Sequence, residues 1–561
     1  MAVAPARFVT PGGHARREGS AEHEAASLAP HFGMPVALGA TAVFVYGPGH
    51  LSYDAGWALL WGKQHAGGQL PAFEAAGAPT PHPLANALTA TLGMLGDGSG
   101  TIFIALGALA FGLLAYAAYL LGARCFGPLV GMLFAVLLFT RPRLVALQAQ
   151  AAIDIPYLAF LLLAAAIAVR RPHRDGAVLA CLTVAGLLRP EAWLFTAAYV
   201  AYRLVTDAGA RRLRLLLLAL IAPCVWVLFD VAVTGDPLHS LHGTRALAAA
   251  VGRPRGPGTA LDAISPAFVD LLGAPLLIAG IAGGVAAIAI LRRRALLPAA
   301  MVGLGLVAFG VVAAAGLSVI SRYLIAPAAL TSLIAVVAIV GWRELPRDDP
   351  RRLPWAAAAS VLAVMLALTV PSLASSDEQV VHQLRQQRAV VANLRDLAEA
   401  PELRRRSDRV VHAETSRAVP LVAAWSALPL RRVSAQAPPR GTSALFIRPA
   451  NPAIEALAYS SATPPWSAEP DPTVTWRELY RNRSWVLYET TPRRAGRGST
   501  TSLTRLARRR SDQRPREPVE ADRLALGARA VGVVLRLATL ADRPGRRTAT
   551  PSRQMLCFNS G

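Results

Sequence analysis

Apolar runs of about 20 residues recur between Met34 and Val370, and they constrain the fold more than any other feature. A run of that length crosses the hydrocarbon core of a bilayer as a helix. Apolar residues make up 54% of the chain and charged residues only 16%, which is less charge than a soluble domain of this size carries. The sequence therefore predicts a polytopic α-helical membrane protein with about 11 transmembrane helices, the last at Trp355–Val370.

The arginines between these runs indicate the topology. Groups such as Arg170–Arg171, Arg292–Arg294 and Arg351–Arg352 fall in loops on one side of the predicted membrane. By the positive-inside rule that side is the cytoplasm. The sequence thus predicts a multi-pass protein of the bacterial plasma membrane, with a cytoplasmic N-terminus and an extracytoplasmic C-terminal domain.

Changes in composition divide the chain into four segments. Residues 1–33 are predicted to be a disordered cytoplasmic N-terminus. Residues 34–371 form the transmembrane domain, with a long extracytoplasmic loop at 49–84. Residues 376–491 are predicted to be a small extracytoplasmic α/β domain, and residues 492–561 an Arg-rich disordered tail. The small domain is expected to contain an amphipathic helix at Asp377–Ala398 and strands at Val410–Ala413, Arg432–Ser434, Ala444–Ile447 and Trp485–Tyr488.

The net charge of +23 does not indicate a nucleic-acid-binding protein. The tail alone carries 16 arginines against 5 acidic residues, and much of the remaining excess lies in the loops that set the topology. The four cysteines are scattered without CxxC spacing, so we predict no disulfide and no zinc site. The sequence contains no Walker-type phosphate loop, G-x-S-x-G elbow or H-E-x-x-H helix, which argues against an ATP-driven pump and a serine hydrolase.

Asp54 is the leading candidate for a catalytic residue. It follows the first apolar run and opens the loop GHLSYDAGWALLWGKQHAGGQLPAFEAAGAPTPHPL, in which aromatic and histidine side chains alternate with Gly and Pro. A carboxylate at the boundary of membrane and water can act as a general base toward a lipid-tethered substrate. His82, later in this loop, is a candidate for the same pocket.

Several arginines fall on the outer side, where the topology does not require them: Arg141, Arg143, Arg189, Arg245 and Arg322. A guanidinium matches phosphate oxygens in a bidentate arrangement and stays charged in a low-dielectric site. Each arginine taken alone is equally well explained by snorkelling to lipid headgroups. For the group, we favour binding of a phosphate.

Acidic residues near the same boundary have two interpretations each. Asp154 precedes a helix and is either an N-cap or a substrate contact. Asp230, inside an apolar run, is either functional or a partner of an arginine such as Arg189. Pro190 interrupts a helix between Arg189 and Glu191, which then form either a cavity wall or a self-satisfying pair.

Asp236, His239 and His242 have helix-like spacing in a second outer loop. A metal site is one interpretation, but two imidazoles and a turn-type Asp favour a helix cap with surface histidines. We therefore assign no metal ligands and no certain cofactor, although a divalent metal is compatible with the sequence.

Taken together, these motifs resemble those of the GT-C superfamily of polyprenyl-phosphate-sugar-dependent glycosyltransferases. The likeness is to the branch of protein O-mannosyltransferases and lipid A aminoarabinose transferases, in its actinobacterial form. The residues that carry it are Tyr53-Asp54, Ala78-Pro79-Thr80-Pro81-His82-Pro83-Leu84, Asp154, Leu188-Arg189-Pro190-Glu191 and Ser321-Arg322-Tyr323-Leu324. Where many relatives carry an Asp-Glu pair in the first outer loop, this chain has Asp54-Ala55.

The resemblance implies a function and a set of site residues. Asp54 would be the catalytic base of an inverting transfer of mannose, or another hexose or pentose, from a polyprenyl-phosphate donor to a hydroxyl on protein, lipid or glycan. Arg189, Arg322 and Arg245 would bind the donor phosphate. The remaining substrate-binding candidates are Asp154, Glu191, Tyr323 and His82. A transporter or flippase of a lipid-linked sugar, and a non-catalytic scaffold of the cell envelope, are the alternatives.

Overall fold

The computed structural model describes residues 32–170, 174–206, 212–426, 428–436, 442–459 and 474–492. The predicted disordered segments 1–33 and 492–561 lie outside these ranges, apart from residues 32, 33 and 492. The helices of the first half are α1 (Phe32–Tyr46), α2 (Tyr53–Ala66), α3 (Pro83–Gly93), α4 (Ser99–Phe126), α5 (Pro128–Phe139), α6 (Pro142–Ala149), α7 (Asp154–Arg170), α8 (Asp175–Leu188) and α9 (Ala192–Thr206). Those that follow are α10 (Arg212–Thr234), α11 (His239–Ala250), α12 (Pro257–Leu272), α13 (Ala274–Ala286), α14 (Arg293–Ala314), α15 (Ile325–Val340), α16 (Arg352–Glu399), α17 (Pro401–Arg404), α18 (Val419–Ser426) and α19 (Pro452–Tyr459).

The described helices confirm a multi-pass membrane protein. Six are long and apolar enough to cross a bilayer, and the pair α5 and α6, bent by 60°, would make a seventh. The spans are Gly96–Phe126, Arg212–Thr234, Ala274–Leu291, Arg293–Ala314, Ser321–Glu344 and Arg352–Thr369. This number is smaller than the predicted 11 or so because helices such as α9, with 15 residues, are shorter than a span of about 20.

Close contacts between small residues hold the transmembrane helices together. The core includes Phe111 of α4, Leu158 of α7 and Leu330 of α15, all fully buried. A Cβ added to Gly122 of α4 would lie 2.8 Å from the Cα of Gly131 in α5. Glycine at this crossing lets the two backbones approach, as in other membrane helix pairs.

The predicted loop 49–84 contains a helix, α2, whose first turn holds Asp54. The hydroxyl of Ser52 caps this helix by accepting from the amide of Ala55 at 3.3 Å. Trp57 and Trp61 of α2 are buried and share a core with residues of the C-terminal domain such as Leu421. The segment 49–84 and the C-terminal domain therefore pack as one unit.

One helix connects the membrane to that domain. Helix α16 runs for 48 residues through Pro371, so the last predicted span and the predicted helix Asp377–Ala398 are continuous. The strands are β1 (Val411–Ala413), β2 (Val433–Ser434), β3 (Ala444–Pro449), β4 (Val474–Arg481) and β5 (Trp485–Pro492). They form a sheet of order β2-β1-β3-β5-β4, parallel at β2-β1-β3 and antiparallel at β3-β5-β4.

Candidate active site

Arg322 joins two carboxylates at the end of the transmembrane bundle. It lies in the 3-10 turn Ser321–Leu324 that precedes α15. Its Nη1 donates to Oδ2 of Asp54 at 2.9 Å, and its Nη2 donates to Oδ2 of Asp154 at 2.6 Å. One guanidinium thus connects the first turn of α2 to the first turn of α7.

Arg189 extends this group into the protein. The helix α8 ends at Leu188, and Arg189 takes an extended backbone conformation before Pro190. Its Nη1 donates to Oδ1 of Asp154, and its Nη2 lies 3.1 Å from Oε1 of Glu191. Its guanidinium lies 4.9 Å from the ring centroid of Tyr323, in a cation–π contact. We call Asp54, Asp154, Arg189, Glu191, Arg322 and Tyr323 the charged cluster.

Burial differs strongly within the charged cluster. The side chain of Asp154 is 0% exposed and that of Glu191 is 5% exposed, whereas that of Asp54 is 44% exposed. Buried carboxylates are stable only when they are paired, as these two are. Asp54 is therefore the carboxylate of the cluster that an incoming molecule can reach.

A small cavity adjoins Asp54. Its volume is about 30 Å³, and its polar lining residues include Thr80, His82 and Asn86. Burial, together with the charge of Arg189, lowers the pKa of His82 to about 4, so its imidazole is neutral at neutral pH. The His82 ring also meets the Trp226 ring edge-on at a centroid distance of 5.7 Å.

The segment from Gly77 to His82 forms part of the wall of this cavity. The Tyr53 hydroxyl donates to the carbonyl of Gly77, and the hydroxyls of Thr80 and Thr244 are hydrogen-bonded. A volume of about 30 Å³ is roughly that of one water molecule. A sugar ring is several times larger than this cavity.

Two further arginines near the charged cluster, Arg253 and Arg417, were not predicted as site residues from the sequence. Burial raises the pKa of Tyr53 to about 12; the charge of Asp54 adds to this shift, and those of Arg417 and Arg253 oppose it. Arg417 belongs to the C-terminal domain, so that domain contributes positive charge beside Asp54. These two arginines could not be recognised as neighbours of Asp54 from the sequence, because arginine is common throughout the chain.

Asn86, which lines the cavity beside Asp54, was also not predicted as a site residue from the sequence. Both polar atoms of its side chain are buried and, within the described residues, have no hydrogen-bond partner. The amide of Asn86 donates to the carbonyl of His82 at 2.9 Å at the start of α3, so the two side chains lie one helical turn apart. The spacing of a polar residue four positions after His82 was the available signal.

Three further residues considered in the sequence analysis have other partners within the protein. Asp230 does not pair with Arg189; it accepts from the amide and hydroxyl of Ser240 at 2.9 and 2.8 Å. Arg245 is exposed on α11, and its Nε donates to the carbonyl of Ala315. Among the described contacts, none joins Arg245 to the charged cluster. Arg141 donates to the carbonyl of Leu272 at 2.7 Å.

Asp236, between α10 and α11, makes two local contacts. Oδ1 of Asp236 accepts from the amide of Leu238 at 3.0 Å, which forms an Asx turn before α11; the N-cap of that helix is Leu238, so the predicted cap at Asp236 is not present. Its Oδ2 lies 2.7 Å from Nδ1 of His242. Among the described residues, no group of three or more His, Cys, Asp and Glu side chains is arranged to hold a metal ion.

Comparison of the sequence with family models and with curated proteins finds no match. The fold does match solved structures. The crystal structure of ArnT from Cupriavidus metallidurans bound to undecaprenyl phosphate has a TM-score of 0.51 and 16% identity, covering 82% of this chain and 98% of that chain. The apo structure of the same ArnT has a TM-score of 0.48 and 16% identity, covering 81% and 97%. The chain thus shares the fold of this ArnT over most of its length, in agreement with the fold that the sequence resemblance implied.

Proposed function

We propose that this protein is a membrane glycosyltransferase that transfers a sugar from a polyprenyl-phosphate donor to an acceptor hydroxyl on the extracytoplasmic face. The observation that carries the proposal is the half-exposed Asp54, held by Arg322 at the edge of a cluster of buried arginines and carboxylates. The fold supports it, because ArnT with this fold was crystallised with undecaprenyl phosphate bound. The N-terminus would be cytoplasmic and the C-terminal domain extracytoplasmic.

Asp54 is the base in this proposal. General-base catalysis requires a carboxylate within hydrogen-bond reach of the acceptor hydroxyl. Asp154 and Glu191 are buried and engaged by arginines, whereas Asp54 has one arginine contact and an exposed side. An acceptor can therefore approach Asp54 without breaking the buried pairs.

The arginines hold the phosphate. Arg322 has one nitrogen, Nη1, on Asp54 and two on Asp154. A donor phosphate that takes Nη1 displaces Asp54 from Arg322 while Asp154 stays paired. This exchange releases the base as the donor binds, and it places the leaving phosphate on a cation.

The transfer is a single inverting displacement. Asp54 removes the proton of the acceptor hydroxyl, and the acceptor oxygen forms a bond to the anomeric carbon. The bond between that carbon and the phosphate oxygen breaks, and polyprenyl phosphate leaves with the electron pair. Since the leaving group is an anion stabilised by Arg322 and Arg189, it needs no proton. His82 and Tyr323 shape the sugar pocket, with mannose or another hexose or pentose as the sugar.

The experiment is sugar release from radiolabelled polyprenyl-phosphate-mannose by the purified full chain in lipid nanodiscs. We expect release or transfer in the wild type and its loss, by about 10²-fold or more, in Asp54→Asn. Glu74→Gln is the matched control, because Glu74 is an exposed carboxyl in the same outer segment. Equal release by wild type and Asp54→Asn would exclude Asp54 as the base. Donor binding without release in either protein would favour transport.

A further inference from the structure

A second cavity lies on the other side of α2. Its volume is about 170 Å³, room for roughly five water molecules. It is lined by α2, the first turn of α4, helix α16 and Trp425 of α18. Its lining residues do not overlap with those of the cavity beside Asp54. It is therefore not part of the proposed active site.

Arg388 of α16 supplies the main polar feature of this cavity. Within the part of the chain that the structure describes, its Nε and Nη2 atoms are buried and have no hydrogen-bond partner. These two nitrogens form the edge of a guanidinium that binds an oxyanion in a bidentate fork. A buried unpartnered donor is costly, so such an edge is typical of a ligand site.

Other arginines of this protein show what that edge binds. Arg351 places Nε and Nη2 on Asp349 at 3.0 and 2.8 Å, and Arg448 places the same atoms on Glu414 at 2.7 and 2.9 Å. In each pair both oxygens of one carboxylate are used. At Arg388 the equivalent edge faces no such oxyanion among the described side chains.

The surroundings of Arg388 are arranged for an anion. His50 is 6% exposed, and its Nδ1 is buried without a partner in the described chain. Lys63, the only lysine of the sequence, also lines the cavity and donates to the carbonyl of Ala424 at 2.9 Å, which leaves further N–H groups for a ligand. A lining carboxylate, Asp97, opposes this charge, and the lining Arg395 is paired with Glu399 at 2.8 Å. Lys63 and Arg388 together still exceed Asp97 by one positive charge.

The backbone also makes room for Arg388. Gly47 has a φ of +81°, and a Cβ at this position would lie 2.9 Å from Nη1 and Nη2 of Arg388. Only glycine adopts this conformation readily, and only glycine lets the guanidinium lie against the chain here.

The cavity lies where a membrane span begins. The span Gly96–Phe126 starts at its edge, and Ser99 of the first turn lines it. Met94 and Leu95, just before the span, are 78% and 58% exposed. The end of a membrane span lies near the polar headgroup region of a bilayer. The helix start adds partial positive charge.

We propose that this cavity binds a phosphate group, held by the Nε–Nη2 fork of Arg388 and by the ammonium group of Lys63. The phosphate comes either from a lipid headgroup or from a phosphate-bearing molecule in water. The proposal does not depend on the reaction at Asp54, because it concerns a separate cavity.

The single lysine permits a local test. Expression with lysine carrying ¹³C at Cε labels Lys63 alone and leaves its ammonium group intact, and the full chain is purified in a phosphate-free maltoside detergent. NMR then follows the Lys63 signal during titration with inorganic phosphate, with chloride as the matched salt. We expect a saturable shift of the Lys63 signal with phosphate only, and the chloride titration reports non-specific effects of ionic strength.

Two variants identify the binding group. Arg388→Gln should weaken phosphate binding at Lys63 by about tenfold or more, because it removes a charge and the fork. Arg385→Gln, on the exposed side of the same helix, should bind as the wild type does. Should Arg388→Gln fail to fold, Arg388→Lys keeps the charge and loses the fork, and it should also weaken binding. A shift that is absent, or that is equal in the wild type and the Arg388 variant, would overturn the proposal.

Nanodiscs distinguish the two sources. If a lipid supplies the phosphate, phosphatidic acid in phosphatidylcholine nanodiscs should shift the Lys63 signal and prevent a further shift by inorganic phosphate. If the ligand is water-borne, inorganic phosphate should act equally with and without phosphatidic acid. Both results require Arg388, and neither depends on turnover at Asp54.

Discussion

Arg322 and Arg245 were placed in one group by the sequence, yet their surroundings differ. Arg322 contacts two carboxylates and is mostly buried, whereas Arg245 is exposed and contacts a backbone carbonyl. Both arginines fall on the same predicted side of the membrane. The comparison shows that the predicted side of the membrane does not by itself distinguish a buried arginine paired with carboxylates from an exposed one.

The largest expected effect is that of Arg322→Gln. Removal of this guanidinium leaves the fully buried Asp154 with Arg189 alone and leaves Asp54 without its partner. We expect a loss of about 3–5 kcal/mol in the free energy of unfolding, as for other broken buried pairs, together with loss of sugar release. Denaturant unfolding in detergent and the release assay measure the two effects. Unchanged stability would show that the charged cluster does not hold α2 and α7 together.

Acidification should destabilise the protein through its buried histidines. Burial lowers the pKa of both His50 and His82 from 6.5 to about 4. The unfolded chain therefore binds more protons than the folded chain between these values, so stability falls as the pH decreases from about 6.5 to 4 and is constant with respect to these groups above that window. Thermal unfolding across this range should show the loss. His82→Gln should reduce the slope, and an identical slope in that variant would contradict burial of a neutral imidazole.

A smaller effect is expected at Tyr323. Its ring lies 4.9 Å from the Arg189 guanidinium, and such contacts contribute about 1 kcal/mol. Tyr323→Leu should reduce kcat/KM for the donor by about fivefold, while Tyr323→Phe, which keeps the ring, should lose little. A large loss in Tyr323→Phe would assign the function to the hydroxyl instead.

The smallest effect is expected for Arg245, the exposed arginine of the comparison with Arg322. Arg245→Gln removes an exposed side chain with one backbone contact, so stability should change by less than about 0.5 kcal/mol. Donor affinity should match the wild type. A loss of donor affinity comparable to that of Arg322→Gln would show that Arg245 also binds the donor phosphate.

The sequence predicted the fold class and identified the members of the charged cluster, because acids and arginines beside apolar runs stand out from their surroundings. It offered the local pair of Arg189 with Glu191, which the structure contains, but it could not predict partners that are distant in the sequence. Asp230 pairs with Ser240 because α11 folds back onto the end of α10, a packing that no local pattern encodes. Arg189 pairs with Asp154 because α7 and α8 are adjacent, which is again a tertiary contact.

In the C-terminal domain, too, the sequence predicted some elements and missed others. Three of the four predicted strands agree with the sheet to within two residues at either end, whereas Trp485–Tyr488 continues to Pro492 as β5. Strand β4 was missed because it is an edge strand rich in charged residues, with much of its length exposed. The continuity of α16 was missed because hydropathy falls at Pro371, although proline is tolerated within a long helix that packs against neighbours.

The central claim is that the donor phosphate competes with Asp54 for Arg322. Equilibrium binding of polyprenyl phosphate, the leaving group, tests it directly in nanodiscs containing the wild type, Asp54→Asn or Arg322→Gln. We predict that Asp54→Asn binds as tightly as the wild type or more tightly, because Arg322 is released, and that Arg322→Gln binds at least about tenfold more weakly, or 1.4 kcal/mol. Weaker binding by Asp54→Asn, or unchanged binding by Arg322→Gln, would contradict the account.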